Sequence, residues 1–115
     1  MKEECVFCRI VAGELPSDMV YQDEAFVAFR DISPQAPKHV LVIPRAHIKS
    51  LADLTAAQEG LAGRLLILAK KLAEREGIST SGYRIVINCG SEGGQVVPHL
   101  HLHLLGGRKL SGRLG

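Results

Sequence analysis

The sequence predicts an α+β domain in which one long helix packs on a five-stranded antiparallel sheet. Short apolar segments of strand length are separated by turns, and one longer segment has the periodicity of a helix. Their order along the chain is β-β-β-α-β-β, without the strand–helix–strand alternation that builds a parallel sheet. The chain of 115 residues has the length of one domain, and we expect a single domain over residues 1–115.

Three strands are expected before the helix. Val20-Tyr21 and Ala25 to Phe29 flank a tight polar turn, which predicts a pair of strands. The Pro-rich segment 33–37 cannot be a central strand, because each proline removes a backbone donor. The apolar run from Val40 to Ile43 is expected to be a strand buried on both faces. The apolar segment from Cys5 to Val11 is short, and the Gly and Pro residues after it end any helix begun there.

The long helix is predicted from Thr55 to about Glu76. Thr55 and Gln58 have the spacing of a capping box, and Gly77 stands where a helix would end. One stripe of apolar side chains repeats at steps of four, three and four, as on a helix face that packs against a core. The residues of this stripe are Leu61, Leu65, Leu68 and Leu72.

The composition excludes several classes of protein. Apolar residues make up 46% and charged residues 23%, which excludes a disordered chain. The net charge of +2 predicts neither nucleic-acid nor membrane binding. No apolar run approaches the roughly 18 residues of a membrane span, and the start of the chain lacks the apolar stretch of a signal peptide. Three cysteines do not make a disulfide framework, so we expect a cytoplasmic protein.

Two further strands are predicted after the helix, from Tyr83 to Cys89 and from Leu100 to Leu105. His99, His101 and His103 alternate with leucines, so on a strand the three imidazoles share one face. Such a group can bind a metal or perform nucleophilic and acid–base chemistry near neutral pH. The alternative is an amphipathic strand whose polar face happens to use histidine.

The loop between those two strands contains the adjacent glycines Gly93 and Gly94. Glycine permits close approach of a backbone, and the N–H groups of such a turn can cradle an anion. The alternative is a turn without a ligand. Beside three histidines, the loop is a candidate phosphate site.

A second candidate site is the Cys-x-x-Cys pair Cys5 and Cys8. In a cytoplasmic chain this spacing suits a tetrahedral thiolate metal site, whereas a redox pair is expected in a strand–helix–strand context that this sequence lacks. Two thiolates cannot hold zinc alone, so two more ligands are required. The alternative is a pair of ordinary buried cysteines, which pack as small apolar residues.

Five segments of the chain together resemble the histidine-triad (HIT) family, and in particular its nucleotide-binding branch of bacterial type with an N-terminal Cys-x-x-Cys. The triad segment, His-φ-His-φ-His-φ-φ with φ apolar, spans His99 to Leu105. The other matching segments are 31–37, 39–44, 93–95 and 105–108. The resemblance implies a homodimer in which two five-stranded sheets join into one of ten strands. It also implies hydrolysis of AMP or GMP phosphoramidates, or of acyl-adenylates, through a covalent nucleotidyl-histidine.

The resemblance assigns roles to four histidines. His101 matches the nucleophile, and the carbonyl of His99 fixes its tautomer. His103 is expected near the phosphoryl and leaving groups, where it stabilises charge or passes a proton. His39 matches a histidine that lies behind the triad.

The resemblance also implies contacts to a purine nucleotide. Asp31 matches a carboxylate that accepts from the ribose hydroxyls, with a turn or capping role as the alternative. The residues matched to the base are Phe7, Ile10, Phe29 and Ile32, and those matched to the phosphate and leaving group are Asn88, Gly94 and Gln95. Val96 stands where well-known members of the branch carry serine, so only its backbone N–H can contact the phosphate. This departure puts the leaving-group preference in doubt.

The resemblance completes the metal site with two histidines. Family members with an N-terminal Cys-x-x-Cys resemble uridylyltransferases, in which a downstream histidine and the first triad histidine complete the zinc site. The implied ligands are Cys5, Cys8, His47 and His99, in a closed structural site with one zinc per chain. His39 competes as the fourth ligand, and we place it in the active-site cluster instead. No organic cofactor is expected.

Two other functions stay open at this point. A nucleotide-binding regulatory or interaction module with incidental turnover is one, and the serine-to-valine departure at Val96 favours it. A dinucleoside polyphosphate hydrolase is the other, because the same nucleophile serves that reaction. The Gly-Gly-Arg segment 106–108 matches the nucleotide-binding branch and therefore favours phosphoramidate hydrolysis.

Overall fold

Five strands form one antiparallel sheet in the computed structural model, which describes residues 5–114. The strands are β1 (Met19–Gln22), β2 (Phe26–Arg30), β3 (Lys38–Pro44), β4 (Tyr83–Val86) and β5 (Leu102–Gly106). Their order across the sheet is β1-β2-β3-β5-β4, with β1 and β4 at the edges. The predicted α+β fold is confirmed. Residues 1–4 and 115, at the ends of the expected domain, lie outside the described residues.

The central strand is β3, and every one of its residues after Lys38 is buried. It pairs with β2 on one side and with β5 on the other, so that Val40 lies opposite both Arg30 and Leu104. The mostly β-branched run that predicted a strand buried on both faces therefore lies in the middle of the sheet.

The histidine-bearing strand β5 begins at Leu102, two residues later than predicted. The N–H groups of His99 and Leu100 donate to the carbonyls of Val97 and Ile48, at 2.9 and 2.6 Å, instead of to a neighbouring strand. The chain just before Leu102 is therefore held by loop contacts rather than by the sheet.

The edge strand β4 ends at Val86 instead of continuing to Cys89 as predicted. Its pairing with β5 stops where Val86 faces His103, close to the start of β5. A strand at the edge of a sheet has one neighbour, so within residues 5–114 no strand pairs with β4 beyond the point where β5 begins.

The long helix begins with a 3₁₀ turn, Ala56–Gln58, and continues as α2 (Glu59–Arg75). The side chain of Gln58 accepts a hydrogen bond from the N–H of Thr55 at 2.9 Å, as the predicted capping box requires. A separate 3₁₀ turn, Leu51–Asp53, precedes this start. The predicted leucine stripe packs on the sheet: Leu65, Leu68 and Leu72 are buried, and Leu61 is partly buried.

The segment near the N-terminus forms a short helix, α1 (Val6–Val11). The sulfur of Cys5 caps it by accepting a hydrogen bond from the N–H of Cys8 at 3.3 Å. Phe7 is the residue of α1 that is buried. Across residues 5–114, no helix combines the length and the apolar character needed to cross a bilayer.

Two apolar clusters lie on opposite faces of the sheet, because successive side chains of a strand point in opposite directions. On the α2-side face, α2 packs against residues that include Val40 and Val42 of β3. On the α1-side face, Phe7 packs against residues that include Phe29, Leu41 and Ile43. The odd-numbered residues of β3 and β5, including His39 and His103, belong to the α1-side face by the same alternation.

The backbone at the end of β5 lies close to neighbouring side chains. A Cβ atom at Gly106 would lie 2.7 Å from Cδ1 of Ile78, and one at Gly107 would lie 2.9 Å from Cβ of Pro37. Gly107 also has a φ of 97°, which side-chain-bearing residues rarely adopt. Gly107 therefore requires glycine, and at Gly106 a larger residue would have to displace the side chain of Ile78.

Candidate active site and metal centre

A cavity of about 540 Å³ opens on the α1-side face. It is lined by three of the predicted catalytic histidines, His39, His101 and His103. It is also lined by five of the residues matched to nucleotide contacts, namely Phe7, Asp31, Asn88, Gly94 and Val96. Segments far apart in the sequence thus meet around one space large enough for a small-molecule ligand.

The tautomer of His101 follows from its hydrogen bond to the chain. Its Nδ1 lies 2.7 Å from the carbonyl oxygen of His99, and a carbonyl oxygen only accepts, so Nδ1 carries the proton. The lone pair of the neutral ring is then on Nε2. The ring is also held edge-on against Phe7, with 5.1 Å between ring centroids. In its neutral form, His101 therefore presents the lone pair of Nε2 at the cavity that it lines.

A chain of hydrogen bonds orients His103 in the same way. The backbone N–H of Gln35 donates to Nδ1 of His39 at 3.0 Å, so the proton of the neutral His39 ring is on Nε2. That Nε2 lies 2.9 Å from Nδ1 of His103 and donates to it. The remaining proton of His103 is therefore on Nε2. In this arrangement, His103 is a hydrogen-bond donor from Nε2.

Burial keeps both of these rings neutral. Desolvation lowers the pKa of His39, and the nearby carboxylate of Asp31 offsets part of that effect. Burial, together with the neighbouring His101 and His39, lowers the pKa of His103 to about 4. At neutral pH the pair has the single-proton tautomers that the hydrogen bonds require.

Asp31 is shared between a turn and the histidine pair. Its Oδ1 accepts from the N–H of Ser33 at 2.8 Å, which is the turn contact considered as an alternative role. Its Oδ2 lies 3.5 Å from Nε2 of His39. The backbone N–H of Asp31 donates to the carbonyl of His39 at 3.0 Å, which joins the two ends of the loop between β2 and β3.

An ion cluster on the α2-side face holds the same loop from behind. The carboxylate of Glu76, whose side chain is 7% exposed, accepts two hydrogen bonds from Arg30, at 2.7 and 3.1 Å. It also lies 3.8 Å from Nζ of Lys38. The hydrogen bonds from Arg30 lower the pKa of Glu76. Arg30 and Lys38 directly precede Asp31 and His39, so the cluster positions both ends of the loop.

The glycine-rich loop closes on itself. The side chain of Asn88 donates to the carbonyl of Gly93 at 2.8 Å, and a Cβ at Gly93 would lie 2.3 Å from the carbonyl oxygen of Cys89. The N–H groups of Gly94 and Gln95 donate to carbonyls within the loop, at 3.1 and 3.0 Å. These two donors are therefore engaged inside the turn.

Four residues matched to nucleotide contacts lie outside the cavity lining. Phe29 is buried beneath it and packs on Phe7, with ring centroids 5.5 Å apart. Ile10 is partly buried in the same cluster, and Ile32 is 97% exposed. The side chain of Gln95 holds the loop in place by donating to the carbonyl of Val97 and to that of Lys49, which is distant in sequence.

The sequence did not single out Gln35, although it lines the cavity and its N–H orients His39. Ser33, Leu41 and Val97 also line the cavity and carried no individual prediction. Gln35 and Ser33 belong to the Pro-rich motif 31–37, which was the available signal for them.

The four implied metal ligands lie together, and none of them lines the cavity that contains His101. Nδ1 of His99 lies 3.3 Å from the sulfur of Cys5 and 3.6 Å from that of Cys8, and the sulfur of Cys8 lies 3.1 Å from Nδ1 of His47. All four ligand atoms lie within 4.8 Å of one another. Tetrahedral zinc with Zn–S of about 2.3 Å and Zn–N of about 2.0 Å gives ligand separations of roughly 3.3–3.8 Å. The four residues fit a zinc ion.

The tautomer of His99 also suits metal binding. Its Nε2 lies 2.9 Å from the carbonyl oxygen of Pro44 and donates to it, which leaves the lone pair on Nδ1, beside the two sulfurs. His99 is fully buried, and burial lowers its pKa. A second group of possible ligands, Asp31, His39 and His103, belongs to the active-site cavity described above.

Known proteins match this chain over nearly its whole length. A relative from Escherichia coli strain K12, purine nucleoside phosphoramidase, is 52% identical over 110 residues, covering 96% of this chain and 92% of that protein. A HIT family hydrolase from Legionella pneumophila Philadelphia 1 superposes with a TM-score of 0.95 at 50% identity, covering 97% of this chain and all of that one. A zinc-bound histidine triad family protein from Mycobacterium smegmatis superposes with a TM-score of 0.81 at 34% identity, covering 98% and 84%. Residues 12–110 match the model of the HIT domain, and the chain therefore belongs to the HIT family.

Proposed function

We propose that this chain is a HIT hydrolase that cleaves the P–N bond of purine nucleoside phosphoramidates through a covalent nucleotidyl-His101 intermediate. Its relative in Escherichia coli, named a purine nucleoside phosphoramidase, supports the reaction class. The observation that carries the proposal is the hydrogen bond from Nδ1 of His101 to the carbonyl of His99, because it leaves the Nε2 lone pair free beside the cavity.

The reaction divides into two displacements at phosphorus. In the first, Nε2 of His101 attacks phosphorus, the P–N bond breaks, and the leaving nitrogen keeps the electron pair and takes up a proton to become the free amine. In the second, water attacks the same phosphorus, one water proton is released, and Nε2 recovers its lone pair. The proton taken up and the proton released balance, and the products are the amine and the nucleoside monophosphate.

His103 stabilises the charge that develops on the phosphoryl oxygens. Its Nε2–H donor is oriented by the hydrogen bond from His39, and a neutral ring with a pKa of about 4 keeps that donor at neutral pH. A donor oriented before the reaction avoids the cost of reorganisation in the transition state.

The sugar and base are held by different kinds of contact. The carboxylate of Asp31 accepts from the ribose hydroxyls, and the apolar side chains of Phe7, Leu41 and Val97 form the walls of the cavity. Apolar walls bind a purine ring without reading its edge groups, so AMP and GMP derivatives both fit, and acyl-adenylates present the same nucleotide.

The decisive experiment is single-turnover hydrolysis of an adenosine 5′-phosphoramidate by the wild type and by His101→Ala. We expect the variant to lose at least about 10³-fold in rate while it still binds AMP. Wild type quenched in alkaline denaturant, in which a P–N bond to histidine is stable, should carry one covalent adenylyl group, detected by mass spectrometry. Retained turnover in the variant would contradict the proposal.

Two rival functions give different outcomes in the same assay. Tight AMP binding without turnover in the wild type would indicate a nucleotide-binding module. Faster cleavage of a diadenosine polyphosphate than of the phosphoramidate would indicate a dinucleoside polyphosphate hydrolase. The exposed side chain of Val96, which offers the substrate no donor, is the feature that keeps the first rival worth testing.

The metal proposed for the cluster of Cys5, Cys8, His47 and His99 is one structural zinc per chain. The fit of the four ligand atoms supports it, and so does the zinc-bound relative from Mycobacterium smegmatis. When bound, zinc supplies a cross-link between α1 and the chain leading into β5, with no open position for substrate. A cytoplasmic location is proposed with it, because reducing conditions preserve thiolate ligands.

Metal analysis tests this site with a matched control. We expect the wild type to contain about one zinc per chain, Cys5→Ser/Cys8→Ser to lose it, and Cys89→Ser to keep it. The control removes a thiol that lies outside the cluster. Equal zinc content in the wild type and the double variant would contradict the site.

A homodimer with a ten-stranded sheet is the proposed assembly. β1 has a register shift between Met19 and Tyr21, and such irregularities disfavour further pairing at an edge. The other edge, β4, is therefore the strand proposed to pair with its copy. Light scattering should give twice the mass of one chain, and the mass of a monomer would contradict the assembly.

A further inference from the structure

The polar groups of His99 connect the metal ligands to the proposed nucleophile. Its Nδ1 faces the sulfurs of Cys5 and Cys8, and its carbonyl oxygen accepts from Nδ1 of His101 at 2.7 Å. We propose that His99 is a positioning residue through which zinc occupancy orients His101, so that zinc and nucleotide strengthen each other's binding. This inference rests on the proposed function, because it takes the cavity beside His101 as the nucleotide site.

The backbone around His99 makes this connection effective. Residues 99–101 precede β5, so the carbonyl that holds His101 is not fixed by pairing with a neighbouring strand. The position of His99 depends instead on its side-chain anchors, on its N–H bond to Val97 and on the Leu100 N–H bond to Ile48. One side-chain anchor is the hydrogen bond from Nε2 to Pro44 at 2.9 Å. The other is Nδ1, which lies 3.3 Å from the sulfur of Cys5 and would be a metal ligand when zinc is bound.

A second connection runs through α1. Phe7 lies between the two cysteines, lines the nucleotide cavity, and has its ring centroid 5.9 Å from that of His99 and 5.1 Å from that of His101. A helix of six residues is not stable by itself, so its placement depends on tertiary anchors. Metal ligation of Cys5 and Cys8 fixes α1, and with it one wall of the nucleotide cavity.

The zinc ion and the nucleotide reach their sites through different openings. Cys8 and His47 line a separate cavity of about 320 Å³ together with Arg9, Glu14 and Arg45. Among the described residues, this cavity and the nucleotide cavity have no lining residue in common. A metal ion can therefore reach its ligands while a nucleotide is bound, and the two bind together rather than compete.

Reciprocal titrations test the coupling. We expect AMP to bind the zinc-loaded protein about tenfold more tightly than the metal-free protein, measured by calorimetry. Linkage requires AMP to raise the affinity for Zn²⁺ by the same factor, measured by competition with a chelating dye. Equal AMP affinity in the two forms overturns the inference alone. Absence of AMP binding to both forms overturns the proposed function, and the inference with it.

The tautomer of His101 gives a readout that a purely structural metal would not change. In the zinc-loaded protein, ¹⁵N NMR should show a single tautomer protonated at Nδ1, and removal of zinc should produce a mixture of the Nδ1 and Nε2 tautomers. An unchanged tautomer after zinc removal would overturn the inference.

A ligand variant keeps the test decisive if the chelated wild type unfolds. His47→Ala removes a ligand at the solvent-facing edge of the cluster and leaves His99, Cys5 and both apolar clusters intact. This variant is expected to bind AMP about tenfold more weakly than the wild type, with or without added Zn²⁺. Cys89→Ser, the matched control, keeps all four metal ligands and is expected to bind AMP as tightly as the zinc-loaded wild type.

Discussion

The α2-side face of the sheet has the larger apolar cluster, whereas the α1-side face combines a smaller apolar cluster with hydrogen bonds between histidines, cysteines and the backbone. α2 has 17 residues and packs a leucine stripe on the sheet, whereas α1 has six and buries Phe7. His39, His99 and His101 are all buried, and among the described residues no buried side-chain nitrogen or oxygen lacks a hydrogen-bond partner.

The difference shows how a small domain separates stability from chemistry. Apolar side chains can be exchanged for one another with little loss of stability, provided that their total volume is kept. A hydrogen bond fixes which nitrogen of a ring carries the proton, and that is what the chemistry of His101 and His103 depends on. The α2-side face therefore contributes the larger apolar cluster, and the α1-side face adds hydrogen bonds that orient its histidines.

The largest expected effect tests the α2-side face. Leu72→Ala removes a fully buried side chain and is expected to lower the free energy of unfolding by about 2–5 kcal/mol, measured by urea denaturation. The affinity for AMP, measured by calorimetry on the folded variant, should stay within about twofold of the wild type. Leu66→Ala, on the same helix but 51% exposed, is the matched control and should change stability by less than about 1 kcal/mol. A similar loss in both variants would contradict the division between the faces.

A smaller effect is expected from pH on the α1-side face. The pKa of His103 is lowered from 6.5 to about 4 on folding, so between these values the unfolded chain binds more protons. Stability contributed by the neutral ring is complete above about pH 6.5 and is lost as the pH falls towards 4. The loss from this group is on the order of 1–3 kcal/mol, because solvent screens the partly exposed ring.

Urea denaturation of the wild type and His103→Asn between pH 7 and 4.5 measures this contribution. The variant should have the shallower dependence of unfolding free energy on pH, because asparagine does not titrate. Parallel curves for the two proteins would show that His103 contributes nothing to the acid sensitivity.

The smallest expected effect concerns the rim of the cavity. Val96 is 88% exposed, so Val96→Ser should leave the unfolding free energy within about 0.5 kcal/mol of the wild type. The new hydroxyl adds one donor beside the phosphate, and a net hydrogen bond of about 0.5–1.4 kcal/mol raises kcat/KM by roughly two- to tenfold. Measurement of kcat/KM on phosphoramidates with different leaving amines checks this, and an unchanged series would show that residue 96 does not contact the reacting groups.

The fold was predictable where the signal is local. The capping pair Thr55 and Gln58 and the leucine stripe of α2 depend on spacings of three and four residues, which the sequence displays directly. The start of β5 was not, because Leu100 is as apolar as a strand residue. Its N–H bonds to Ile48, a residue 52 positions earlier whose proximity is a product of the tertiary fold.

The site was predictable to a similar degree. The alternation of histidines predicted that His101 and His103 would be neighbours, and their ring centroids lie 5.0 Å apart. The N–H of Gln35, which sets the tautomer of His39, could not be predicted, because a backbone donor has no sequence signature. The distance between Cys8 and His47 likewise depends on the turn that follows β3. The spacing of residues in the sequence therefore could not by itself identify His47 as a metal ligand.

The close packing around the glycines at the end of β5 affects how the sequences of homologues should be interpreted. Gly106 and Gly107 are favoured by the nearness of Ile78 and Pro37, and neither lines the cavity. Natural selection for a folded chain is therefore enough to preserve them, even in a descendant that has lost His101 and its catalysis. In a newly sequenced homologue, Gly-Gly-Arg after an apolar strand is evidence of this architecture, and only the histidines before it are evidence of an enzyme.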